Sequence, residues 1–473
     1  MDLAIRGTRM VTFRDGRPSV VQGGTVGVRD GRITYVGPDD GFEGRAEREI
    51  DGAGHVTMPG LVDAHVHTGP TLLRGAAQDV PEIEWMNRAL GPLADHLTDD
   101  DRVVGAKLGV LEGIRSGVTT FGEYASDVGR LVEEVYEPWG VRVAATETIN
   151  AVADDADLDP DVPYPFDERT GRTALDRADA LSDDYADSDL VIPTYGPQAL
   201  DMVPLELLEE TFAHAAERDC RVHVHVAQGR RERRQIEARY GDDASTVGVL
   251  EDNGLLDERL IAVHCHDATP EERERLAESG AAYVGCPSSI AAIDGVTPPV
   301  EWFRRRDAPV GLGTDQAPGP GGHDMLREVR TAALLSKTVH ADPTALPAWE
   351  ALRLATLGGA TALGLDDRIG SLEVGKRADL VVIDAADPSV APVVDEPFST
   401  AVPNLAHSAS RAAVDTVVVD GDVVLRDGEF VDVDERDVID EAQERAERVF
   451  EEGAADWRAA GSALVDRADE GWL

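Results

Sequence analysis

From residue 59 to about residue 365 the chain repeats one pattern: a short apolar run, then a longer stretch whose apolar positions recur every three to four residues. The run reads as a buried strand and the stretch as an amphipathic helix. Eight strands are expected, at residues 60–65, 118–121, 141–145, 190–193, 221–226, 260–264, 282–284 and 310–313. Strands alternating with helices build a parallel sheet, so the expected class is α/β, a (β/α)8 TIM-like barrel. The two ends have a different texture. Short strands at 10–13, 24–28 and 32–36, with an Asp30-Gly31 hairpin turn, are matched after residue 370 by strands at 378–383, 414–419 and 423–425 with Asp420-Gly421. Neither set makes a domain alone, so a small composite β-sandwich formed from both termini is expected, with the barrel inserted in it. The boundaries read as 1–58, 59–365 and 366–434. Residues 435–473 read as an acidic, alanine-rich helical tail, with the helical pattern at Val438, Ile439, Ala442, Ala446, Val449 and Phe450, expected to pack on the outside of the fold. Residues 152–189, rich in Asp, Pro and Tyr, fit either a lid-like excursion or a solvated loop.

Charge changes the picture of partners. The chain has 91 acidic against 45 basic residues, a formal net charge of −46, and its lysines are Lys107, Lys337 and Lys376. Such a surface repels nucleic acid and anionic membranes. The carboxylates are spread over the whole chain, which reads as adaptation to a halophilic cytoplasm, where ~1 M salt screens charge within roughly 3 Å. No apolar stretch approaches the ~18 residues of a membrane span. The start, Met1-Asp2-Leu3-Ala4-Ile5-Arg6, lacks a signal peptide's pattern. Cys220, Cys265 and Cys286 lack the spacing of a disulfide framework or a cysteine zinc site. A cytoplasmic location is expected.

The chemistry gathers at strand ends. His65-Val66-His67 closes an apolar run, and period-two alternation sends both imidazoles to one side, half of a transition-metal site. Alone this is weak, because a surface pair or a satisfied core pair is the commoner explanation of His-x-His. It is not alone: His223-Val224-His225 ends the fifth strand, His264 the sixth, and Asp315 follows the eighth. Barrel enzymes place their chemistry at these C-terminal ends.

With these residues the chain resembles the amidohydrolase superfamily, in its cytosine deaminase-like branch, which holds 5-methylthioadenosine/S-adenosylhomocysteine deaminases and triazine hydrolases. The resemblance covers nearly the whole chain. It rests on Met58-Pro59-Gly60-Leu61-Val62-Asp63-Ala64-His65-Val66-His67, Leu72-Leu73-Arg74-Gly75, Glu84-Trp85, Ala262-Val263-His264-Cys265, Gly311-Leu312-Gly313-Thr314-Asp315 and Gly375-Lys376-Arg377-Ala378-Asp379-Leu380-Val381. It implies that His65, His67, His225 and Asp315 hold one divalent metal, zinc first, with iron or manganese as other choices. It also implies that His264 and Asp315 are catalytic, that the reaction is metal-assisted attack of water on a C-N bond, and that the protein is a homodimer or larger oligomer. The partners expected are a small heterocyclic substrate of purine, pteridine, pyrimidine or triazine type, and water. Two-metal relatives bridge their ions with a carboxylated lysine; no lysine here falls at an expected strand end, which points to one metal.

Some positions depart from the branch. Its deaminases carry His-x-x-Glu, whose carboxyl shuttles a proton to the ring and to departing ammonia; here the segment is His225-Val226-Ala227-Gln228. An amide orients a substrate but relays no proton, and losing such a relay removes ~10²- to 10⁴-fold of rate. Glu123, at the end of the second strand, is the candidate replacement; its other reading is a simple hydrogen bond to a loop. Gln198 stands where relatives carry a substrate-binding histidine, and Cys286-Pro287-Ser288-Ser289-Ile290 replaces Asn-Pro-x-Ser-Asn. Glu84 matches the position that grips ribose hydroxyls, and Trp85 either stacks on a heterocycle or only packs. Glu84, Trp85, Gln198 and Ser289 are thus the expected substrate contacts. His223 reads as structural, deeper in the barrel, and His266 and His323 as loop histidines within reach of substrate or solvated. The small loop 316–322 turns sharply enough for backbone to approach a ligand. Opening a cyclic amide or displacing halide is the enzymatic alternative. A non-catalytic scaffold is the third reading, and it has no physical need for this set of residues.

Overall fold

Eight parallel strands close into a barrel in the computed structural model, which describes residues 1–14, 17–153, 156, 162–319 and 321–472. In chain order these are β1 (Leu61–His67), β2 (Val118–Ala125), β3 (Arg142–Ile149), β4 (Val191–Pro197), β5 (Arg221–Val226), β6 (Leu260–His264), β7 (Ala282–Gly285) and β8 (Val310–Leu312, resumed at Asp315–Gln316). Each lies where its apolar run places it. Closure comes from the resumed part of β8, where Asp315 pairs with Val66 and Gln316 with His67 of β1. The strands are buried on both faces, as a parallel sheet covered by helices requires.

The termini build one composite β domain, as expected. Among the described residues its sheet has nine strands, and the seam between the two ends of the chain is His55–Pro59 against Leu380–Asp384, antiparallel, with Val56 opposite Ile383 and Met58 opposite Val381. The sheet is continuous and folds back on itself: the Ala378 N–H donates to the Gly31 carbonyl at 2.9 Å. Gly31 has φ 70°, and a Cβ there would come within 2.7 Å of the Asp420 carbonyl, so this closure needs glycine. The enclosed core includes Leu3, Ile5, Val28, Leu380 and Val418, all fully buried. Where this domain meets the barrel, the buried Arg142 of β3 donates to both oxygens of Asp379, at 2.7 and 2.8 Å. A charge taken out of water needs such a two-pronged partner.

Two regions position the site. The tail forms helices Glu435–Ala460 and Ala463–Asp469, and its Ala442, Val449 and Leu464 share a core with Leu72, Leu73, Trp85, Leu90 and Leu93 of the segment after β1. Asp101, fully buried, ties down the first of these helices through Arg445 and Arg448. The stretch 152–189 is neither a bare lid nor a solvated loop. It carries the helix Glu168–Asp184, whose Gly171, Ala174, Leu175, Ala178 and Leu181 are buried, while 154, 155 and 157–161 lie outside the described residues. Among the described residues no helix is long and apolar enough to cross a membrane.

Candidate metal centre

His65 and His67 end β1, His225 ends β5, His264 ends β6, and Asp315 opens the resumed β8. Nitrogen atoms of His65, His225 and His264 lie within 4.8 Å of one another, as do the ligand atoms of His65, His67 and Asp315. Donors that each sit ~2 Å from a shared ion fall up to ~4 Å apart, so each group of three is close to the size of one site, and the two share His65. Asp315 Oδ1 is 3.6 Å from His67 Nε2 and 3.8 Å from His65 Nε2, while Oδ2 accepts a 2.6 Å hydrogen bond from Ser289 Oγ.

The outward nitrogens are already engaged. Nδ1–H of His67 donates to the Tyr124 carbonyl at 2.7 Å and that of His225 to the Gln198 carbonyl at 2.8 Å, while His65 Nδ1 lies 3.1 Å from His223 Nε2. Metal-binding histidines are oriented in this way, by the nitrogen that does not bind. His65 Nε2, fully buried, has no hydrogen-bond partner among the described residues. A buried polar atom without a partner is costly, and an ion shared with the neighbouring donors answers it. Burial, and then neighbouring imidazoles, push His65, His223, His225 and His264 below the usual histidine range, which favours the neutral form a ligand must have. The residues present therefore fit a divalent metal. Ala227, His264, Cys265 and Asp315 all have left-handed backbones, φ 47°, 74°, 48° and 62°. Such a backbone is strained for a residue with a Cβ, and these four positions fall beside one cluster.

A cavity of about 220 Å³ opens beside this cluster, lined by His67, His225, His264 and Asp315 together with Trp85, Gln198, Gln228 and Ser289. Four residues expected to touch substrate or act beside it are thus at the cavity. Their partners are specific: the Gln228 N–H donates to Glu232 at 2.7 Å, and Gln198 Oε1 accepts from Asn150 at 2.7 Å. The indole N–H of Trp85 is buried without a protein partner.

The structure places other expected residues elsewhere. Glu84 does not line the cavity; its carboxylate accepts the Ala463 N–H of the tail at 3.1 Å, and Glu82, two positions earlier, faces the cavity instead. The segment passes from an α-turn at Glu82–Glu84 into a π-turn at Trp85–Leu90, so helical phase gives no reliable face here. Glu123 is buried away from the cavity. It accepts hydrogen bonds from the Thr68 N–H at 3.0 Å, Thr68 Oγ1 at 2.5 Å and Tyr136 OH at 2.6 Å, and burial pushes its carboxyl up against these bonds. Its loop-bonding reading is the one the geometry supports. His323 is neither at the substrate nor in solvent: it is buried between Thr71 (3.0 Å) and Thr314 (3.1 Å). His266 is buried too, with Nε2 3.3 Å from Asp294. The loop 316–322 runs beside Trp85 through Gly319, with Pro320 outside the described residues.

Sequence reasoning missed Tyr124, Glu82, Arg231 and Asp294. Tyr124 packs its ring 4.8 Å from that of His225 and 5.3 Å from that of His223, and its hydroxyl donates to the Gly196 carbonyl at 2.7 Å. Strand parity puts Tyr124 and Glu123 on opposite faces but does not say which face turns inward. Glu82, Arg231 and Asp294 line the cavity together, and nothing in local sequence brings them together.

A closed barrel with imidazoles and a carboxylate converging at its strand ends defines an enzyme framework built around a divalent metal. More particularly, the chain belongs to the amidohydrolase family, whose model matches residues 56–424. It is 36% identical over 430 residues to a 5-methylthioadenosine/S-adenosylhomocysteine deaminase of Desulforudis audaxviator, covering 90% of this chain and 95% of the relative. The crystal structure of an adenosine deaminase from Xanthomonas campestris, with bound zinc, superposes with a TM-score of 0.86 at 31% identity, over 95% of this chain and 98% of that one. The zinc complex of an atrazine chlorohydrolase from Arthrobacter aurescens shares the fold, with a TM-score of 0.83 at 23% identity over 94% and 100% of the two chains.

Proposed function

We propose that the protein is an aminohydrolase that replaces the exocyclic amino group of an adenine-type ring with oxygen from water, releasing ammonia. The observation that carries this reading is the pair of ligand groups, His65 with His225 and His264 and His65 with His67 and Asp315, that meet at His65 beside a cavity. The deaminases similar to this chain support the choice of an adenine-type ring.

His65, His67, His225 and Asp315 would hold one zinc ion. A divalent ion there supplies Lewis acidity and makes water acidic enough to lose a proton near neutral pH. Asp315, its second oxygen fixed by Ser289, is placed to take that proton. His264, neutral and in the cavity wall, offers a hydrogen bond to oxygen or nitrogen at the reacting carbon. Gln228 can orient the ring through its amide but cannot carry a proton to it, so Asp315, which would take the protons from water, would pass them to the ring nitrogen and to departing ammonia, while His264 stays neutral and hydrogen-bonds. Trp85 lies in the same wall, where an aromatic face suits a flat heterocycle.

Gln228 also favours a second reading, in which the same site opens a cyclic amide or displaces halide and needs less proton delivery. The two separate in one experiment. Zinc-loaded protein in high salt should release ammonia from adenosine, 5′-deoxyadenosine or 5′-methylthioadenosine, and Gln228→Glu should raise that rate by 10-fold or more. No ammonia from any adenine nucleoside, with turnover of chlorotriazines or cyclic amides, would overturn the deaminase reading.

A further inference from the structure

We infer that His223 is a positioning residue of the metal centre, fixing the tautomer and orientation of His65 through one hydrogen bond. The inference rests on the metal reading above and goes beyond it, because His223 is no ligand in that reading.

His65 Nε2 faces the cluster and must be unprotonated to bind an ion. The ring proton then sits on Nδ1, which lies 3.1 Å from His223 Nε2. That bond needs an acceptor, so His223 carries its own proton on Nδ1. This atom lies 3.3 Å from Thr146 Oγ1, which can accept it. One direction of donation therefore runs from His65 through His223 to Thr146, and no other neutral tautomer satisfies both contacts while leaving Nε2 of His65 free.

The arrangement singles out His65. The outer nitrogens of His67 and His225 donate to main-chain carbonyls, which the fold fixes whatever the nearby side chains are. The outer nitrogen of His65 depends on a side chain. His65 is also the ligand that belongs to both clusters of ligand atoms, so its angle bears on the whole site. His223 is fully buried, with its ring centroid 4.9 Å from that of His65 and 5.3 Å from that of Tyr124, so its position is set by packing as well as by Thr146.

Zinc affinity tests this directly. Full-length wild type, His223→Phe, His223→Gln and Thr146→Val are stripped of metal, their melting temperatures recorded, and Zn²⁺ binding measured by competition with a chelator. Phe fills the volume without an acceptor and should weaken binding roughly 10- to 100-fold, the range for partners of metal-binding histidines. Gln returns an acceptor near the Nε2 position and should recover most of that loss. Thr146→Val keeps the shape, removes the hydroxyl that orients His223, and should weaken binding by a smaller factor; it carries the test where His223→Phe does not fold. In the cobalt-loaded protein, the visible bands should move in His223→Phe and return in His223→Gln. Wild-type affinity in His223→Phe, equal loss in Phe and Gln, or wild-type affinity in Thr146→Val would overturn the inference. A wild-type protein that takes up no zinc would overturn the metal reading itself, a separate outcome.

Discussion

A single step along β2 separates Tyr124, whose ring lies against the histidines, from Glu123, whose carboxylate is held by Thr68 and Tyr136. The histidine clusters at the strand ends were legible as candidates, since His65 and His67 are two apart, His223 and His225 likewise, and each pair ends an apolar run, while the choice of His65, His67, His225 and Asp315 as proposed ligands came from the family resemblance. Glu123 was not legible, because the pairing of β1 with β2 slips between Leu61 and Val62 and again between Asp63 and Val66, so the inward face at the strand end cannot be counted from sequence. Burial does comparable work on single charges. Glu328 accepts the Ser288 N–H at 2.7 Å, yet burial pushes its carboxyl up to about 7. In the unfolded chain it titrates near ~4.3, so the folded state holds the proton longer, and stability falls as pH climbs from that value through 7. The shift corresponds to on the order of 3–4 kcal/mol by pH 8.5. Glu328→Gln keeps an acceptor for Ser288 and loses the ionisation. Thermal melts from pH 5 to pH 8.5 should show wild type losing ground steadily to the variant; a difference that stays constant with pH would refute the claim.

At the scale of elements, the tail does more than cover an apolar surface. Its helix Glu435–Ala460 packs on the segment that carries Trp85, and the Ala463 N–H caps Glu84. The tail's helicity was readable from its 3.6-residue pattern, but its bracing of the cavity wall was not, because that depends on which surface it meets. The strand His55–Pro59 was hidden for a related reason: read alone it is only a lead into β1, and its partner, Leu380–Asp384, is over 300 residues away. The bracing is testable at Asp101. Burial alone would raise its carboxyl, but hydrogen bonds from Thr98, Arg448 and Arg445 hold it at about 2. Both arginines are partly exposed, so their loss falls between the cost of surface and buried pairs. The double variant Arg445→Ala/Arg448→Ala should lose about 1–2 kcal/mol of stability. If the tail braces Trp85, KM for the proposed adenine-type substrate should rise severalfold while kcat stays near wild type. Unchanged KM alongside lowered stability would leave the tail a structural cover and nothing more.

Over the whole molecule, charge sets the conditions under which any of this holds. A net charge of −46 on 473 residues repels itself, and the paired arginines of the barrel floor and tail offset only part of it. Salt acts on the two contributions unequally. Close ion pairs are short-ranged, and surface pairs contribute only ~0–1 kcal/mol each, so screening costs little there. Repulsion between scattered carboxylates acts over longer distances, which is where shortening the Debye length from ~10 Å at 0.1 M to ~3 Å at 1 M removes most of the interaction. Repulsion therefore loses more than attraction does, and the melting temperature should rise steeply over the first few tenths molar and then level off. Screening depends on ionic strength rather than on which cation supplies it, so KCl and choline chloride should give the same curve. A rise with KCl alone would mean bound potassium rather than screening, and a flat curve with both salts would mean that the acidic surface carries no appreciable repulsion.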